Sequence, residues 1–231
     1  MQESESGWRK PWVYLLGALV FRYLCHSIML FMALAAERRA APTLPDAVLS
    51  VTPRVEWINR YNYHIWLLCY VPLAVVLGVR NFPTFLRFMV AGGVISLLRG
   101  VCILMTGLGP VWGPDLNAGI AWHQVWEAWI QLINPLSSLF GSAPHIHLTK
   151  DLFFSGHTAT TFLLALYCFR DRALRVPALV AHGVVVAVVF LSHLHYTIDV
   201  AGAYAVTFSV YAVFEWRPRH RDLGDLADSP R

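Results

Sequence analysis

The chain has 231 residues, of which 57% are hydrophobic and 14% charged, with a mean hydropathy of +0.51. That composition excludes an ordinary soluble enzyme and fits a polytopic membrane protein, since about 20 apolar residues span a bilayer. The formal charge of +4 does not point to nucleic acid, because the basic residues are scattered between apolar runs and form no stripe.

Taken in order, the apolar runs predict membrane helices over 12–36, 63–79, 84–106, 152–169, 176–193 and 195–216. The first is followed by Glu37-Arg38-Arg39 with no small-residue cleavage site, so it reads as a retained helix and not a signal peptide. Residues 1–11 and 217–231 are tails, and 12–216 form one membrane domain. Six spans put both termini on one side. Eleven basic residues fall there against five opposite, which predicts cytosolic termini. The fold class expected is all-α, a six-helix bundle in the membrane.

The longest connection, 107–150, opens with Gly107, Gly109, Pro110, Gly113 and Pro114 and carries Pro135 and Pro144 later. It is expected to cap one end of the bundle. Within it Trp122, Trp126 and Trp129 share one helical face, as in a helix lying at headgroup depth, where they would serve as an anchor or as a substrate gate. Cys25, Cys69, Cys102 and Cys168 sit inside predicted spans without CxxC spacing and read as small apolar residues.

Two strings near the C-terminus carry chemistry. Ser155-Gly156-His157-Thr158 has the form of a helix start, with Ser155 as the cap and Gly156 allowing phosphate close to the backbone. In His195-Tyr196-Thr197-Ile198-Asp199, helical spacing lets Asp199 hold the His195 imidazole and raise its nucleophilicity. One returning helix pair separates the strings, so both open on the same, non-cytosolic face. Two histidines and a carboxylate can supply nucleophile, proton shuttle and orienting group without metal or other cofactor.

Around them, Arg99, Lys150 and Asp151 are candidates for binding phosphate or headgroup, and Arg22 and His26 are expected to pair structurally inside the first helix. His193 and His195, two apart on a helix, would diverge by about 200° and could not share an ion. His145 and His147 could, but a third ligand is missing, so no metal is expected.

These residues resemble the sphingomyelin synthase family within the lipid phosphate phosphatase (PAP2-like) superfamily. Pro42-Thr43-Leu44-Pro45-Asp46 is similar to that family's loop after the first helix, Leu97-Leu98-Arg99 with Met105-Thr106 to its motif ending the third, and 150–158 and 193–200 to its last two motifs. The chain has Thr149-Lys150-Asp151 where the family has Cys-Gly-Asp, and Val189 where lipid phosphatases carry arginine. The resemblance implies a six-helix PAP2-like bundle with its core at about 84–216. It implies membrane lipids as partners, with phosphocholine or phosphoethanolamine passing from a glycerophospholipid to ceramide or a similar alcohol through a phosphohistidine. The alternatives are a lipid phosphate phosphatase or phospholipase C-like hydrolase, and a non-catalytic lipid-binding protein.

Overall fold

The computed structural model describes residues 11–134, 146 and 148–216, which form helices and no strand. The helices are α1 (Pro11–Glu37), α2 (Ala47–Val51), α3 (Glu56–Arg80), α4 (Phe82–Met105), α5 (Trp122–Ile133), α6 (Gly156–Cys168), α7 (Arg175–Leu191) and α8 (Thr197–Glu215). Six of them fall where spans were expected. Four, namely α1, α3, α4 and α8, are long and apolar enough to cross a membrane; α7 has 17 residues and α6 only 13.

Helix ends follow local chemistry. Asn81 alone separates α3 from α4, its side chain accepting from Thr84 N at 3.1 Å while Pro83 occupies the first turn, where no N–H is needed. α3 begins at Glu56, seven residues before the expected 63. Hydropathy marks the apolar part of a helix, and the polar first turns Glu56, Asn59, Arg60 and Asn62 are helical without being apolar.

α1 lies along α4, where glycines remove side chains that would otherwise collide. A Cβ at Gly93 would stand 2.7 Å from the Phe21 ring and one at Gly100 2.7 Å from Met32 Sδ. The main core joins α4, α6 and α8 through Phe88, Ile95, Phe154, Ala159, Leu163 and Ala203. All four cysteines are free thiols.

The 107–150 connection departs from expectation. α5 does not lie across the end of the bundle; it runs antiparallel down the side of α1. Arg38 stacks on Trp122 at 4.1 Å, Trp129 Nε1 donates to Ser27 O at 2.8 Å, and Tyr23 donates to Ile133 O at 2.7 Å. Each step along α5 thus meets an earlier turn of α1. The three tryptophans do share a face, and Phe31 of α1 sits among them at 6.5, 4.8 and 5.8 Å. An apolar helix of 12 residues spans about 18 Å, enough to re-enter a bilayer but not cross it. Pro135, Pro144, His145 and His147 lie outside the described residues.

Residues 107–121 do run over the end of the bundle, held by a buried carboxylate. Glu37, fully buried at the end of α1, accepts from Thr149 N at 2.7 Å, Lys150 N at 2.5 Å, Thr149 Oγ1 at 2.8 Å and Asn117 Nδ2 at 2.8 Å. At the opposite end, Arg80 pairs with Asp171 at 2.8 Å and Arg87 with Glu215 at 3.0 Å. These pairs close α3 on the α6–α7 turn and α4 on the end of α8.

Candidate active site

Both histidine strings lie at the Glu37 end, and a backbone bond joins them: Ser155 N donates to Asp199 O at 3.1 Å. Ser155 caps α6 as expected. It is fully buried, its Oγ accepting from Thr158 N at 3.4 Å and Thr158 Oγ1 at 3.0 Å. His157 follows in the first turn, where Trp66 of α3 meets its ring edge-on at 5.4 Å and its Nε2 has no hydrogen-bond partner. His195, Arg99 and Asp151 are its charged neighbours.

His195 is not on a helix. α8 starts at Thr197 with Tyr196 as its cap, so the expected helical i,i+4 pairing is replaced by a reach-back from the first turn. Asp199 Oδ2 accepts from Tyr196 N at 2.9 Å and stands 3.4 Å from His195 Nδ1, while its Oδ1 is buried without a partner. The carboxylate caps the helix and faces the imidazole at once.

The same correction applies to His193. It occupies the turn before α8, with φ 53°, its Nε2 2.9 Å from Thr52 O and its ring against Trp112 at 5.9 Å. It diverges from His195 because the turn sends it outward, not because of helical phase. Among the described residues no group of three or more His, Cys, Asp or Glu is arranged to hold a metal ion.

Arg99 is buried and committed mainly to protein. Its Nε donates to Phe154 O at 2.7 Å and Nη2 to Asp151 O at 3.1 Å, and Nη1 contacts Met29 Sδ at 3.2 Å. Nη2 also lies 2.9 Å from Asp151 Oδ1, an ionic contact outside hydrogen-bond geometry. Of its five donor hydrogens, these leave two, one on Nη1 and one on Nη2, the latter beside Asp151 Oδ1. A Cβ at Gly156 would fall 3.1 Å from Arg99 Cζ, so the close approach that Gly156 permits here is that of a guanidinium.

Lys150 is buried at the other side of the cap. Its Nζ donates to Glu37 O and Arg39 O, each at 2.6 Å, and meets Asp115 at 2.7 Å. Three acceptors occupy the three ammonium hydrogens. The charge therefore ties the cap to α1.

Sequence reasoning gave no role to Asp46 beyond its place in a motif. Its Oδ1 caps α2 through Val48 N and Leu49 N, and Oδ2 accepts from Thr197 N at 2.6 Å, with Thr197 Oγ1 2.9 Å from Oδ1. Tyr196 Oη extends this clamp, accepting from Leu44 N at 3.1 Å and lying 3.2 Å from Gly109 O. The loop after α1 thus fixes the start of α8, and with it His195 and Asp199. Trp66 was missed as well. The stripe Tyr63, Trp66, Tyr70 on α3 was its only signal, and such stripes are more often core.

A family model described as PAP2 superfamily C-terminal matches residues 150–217, the stretch containing both histidine strings. The match supports a phosphatase or phosphotransferase type of function in a membrane protein. No curated protein matches the chain.

Proposed function

We propose that the chain is a lipid headgroup phosphotransferase related to the sphingomyelin synthases, with six membrane spans, cytosolic termini and the site on the non-cytosolic face. The observation that carries the reading is the Ser155–Asp199 backbone bond, which brings the starts of α6 and α8 together so that His157 lies in the field of His195. His195, oriented by Asp199, attacks the phosphorus of a glycerophospholipid. The bond to the diacylglycerol oxygen breaks, and His157 protonates that oxygen. The headgroup phosphate now sits on the His195 nitrogen. His157, left as a base, takes the proton from the primary hydroxyl of ceramide or a similar alcohol. That oxygen attacks phosphorus and the P–N bond breaks. Negative charge on phosphorus oxygens is met by an Arg99 hydrogen left over from its protein contacts and by the first amides of α6.

Phosphocholine and phosphoethanolamine both suit this scheme. Val189 is fully buried, so the position where lipid phosphatases carry arginine contributes packing and no charge. Headgroup-labelled phospholipid, supplied with and without ceramide, separates transfer from hydrolysis. Transfer predicts label on ceramide, dependent on it. Label released only as free phosphoalcohol or phosphate, indifferent to ceramide, would overturn the assignment in favour of a hydrolase.

A further inference from the structure

Below the reacting histidines, toward the middle of α1, the structure carries polar groups that the chemistry above leaves unused. Arg22 reaches Tyr70 Oη at 2.8 Å and lies over the Phe88 ring at 5.3 Å. It is seated in a notch left by Gly92, where a Cβ would stand 1.7 Å from its Nη1. Two turns above, Met29 touches Arg99. His26 projects between these contacts, within about 40° of the Arg22 direction on a helical wheel. It therefore faces α4 and the site and not α5, which takes the Tyr23, Ser27 and Phe31 face.

Arg99, Arg22 and Asp151 are the charged neighbours of His26. Yet among the described residues its imidazole makes no hydrogen bond or ion pair, and it is exposed while Cys25, Ser27 and Met29 beside it are buried. An exposed imidazole at membrane depth, with Arg22 one turn below it and Arg99 above, has the chemistry of a ligand contact and not of a core histidine. Its depth is informative. His26 lies one turn, about 4.5 Å, below Met29 and so below the Arg99 guanidinium. In a phospholipid only the glycerol carbons separate the phosphate from the ester carbonyls, and in ceramide the amide is equally close to the reacting hydroxyl.

Resting on the lipid reading of the site, we propose that His26 donates an N–H hydrogen bond to the acyl carbonyl of the bound lipid, fixing the depth at which the headgroup meets His195. The carbonyl belongs either to the donor's ester or to the acceptor's amide. Both present the same oxygen to the same imidazole.

The test uses the full chain in a His195→Ala background, which holds lipid unreacted, with affinities read by native mass spectrometry. One pair of ligands is diacyl phosphatidylcholine and its dialkyl ether; the other is ceramide and a long-chain diol lacking the amide. The proposal expects an approximately tenfold preference for the carbonyl-bearing member of one pair, which identifies the source. His26→Leu brings that ratio close to one, and His26→Gln, which keeps an N–H donor, preserves most of it. The ratio is taken within each variant, so partial loss of folded protein cancels; His26→Phe serves if the leucine variant does not fold. Equal affinities in both pairs, or a preference that survives His26→Leu and His26→Phe, overturn the proposal while leaving headgroup transfer standing. Failure of every lipid to bind removes both.

Discussion

His157, His195 and Asp199 divide their labour by position. His157 offers a buried Nε2 with no partner, and His195 faces a fully buried carboxylate whose other oxygen is free. His157→Ala and His195→Ala are each expected to lower turnover of labelled phospholipid by about 10²-fold or more. Asp199→Asn should lower it similarly without loss of folded protein, because an amide oxygen can still cap Tyr196. Asp46 acts at one remove. Burial alone would raise its carboxyl, but hydrogen bonds from Thr197, Leu49 and Val48 outweigh it and hold the group below its ordinary 3.8. A carboxyl lowered on folding stabilises the fold above 3.8 and loses that contribution as pH falls through the folded value. Asp46→Asn should therefore cost about 1 kcal/mol at neutral pH and remove this acid-sensitive part of stability, measured by thermal unfolding at neutral and strongly acid pH. The pairing of His195 with Asp199 was legible from spacing alone, although its geometry is a capping turn and not a helix face. The clamp from Asp46 to Thr197 was not, because it joins residues 151 apart and spacing carries no record of such contacts.

At the scale of elements, apolar runs located α1, α4, α7 and α8 within two residues at their ends, and misplaced what is polar. The start of α3 was hidden by its polar first turns. α5 was read as an interfacial helix because its three tryptophans mark a face, but a sequence does not say what the face meets. Phe31 on α1 is the answer. Two contacts give tests at this scale. Glu37 accepts four hydrogen bonds that hold the cap, so Glu37→Ala should cost about 3 kcal/mol through the donors left buried and unpaired, seen as a lowered unfolding temperature. Gly92→Ala should displace the Arg22 guanidinium and lower stability by about 1–3 kcal/mol. Arg22→Ala in the same chain should recover most of that loss, since it empties the notch.

For the whole molecule, parity and charge together predicted that both strings open on one end of the bundle, and the Ser155–Asp199 bond is the contact where they meet. The bundle spreads its burden unevenly. The four long helices carry the apolar thickness, while the short α6 carries His157 in its first turn and α7 leads back to the turn that holds His195. Lys150 was expected among the phosphate ligands because it precedes the first string, yet its three donors are taken by Glu37, Arg39 and Asp115, from segments far apart in sequence. The most direct test of the account is covalent. Wild-type protein incubated with phosphatidylcholine in the absence of acceptor should carry phosphocholine on the peptide containing His195, acid-labile and discharged by added ceramide, and His195→Ala should carry none. Undiminished headgroup transfer by His195→Ala would contradict it.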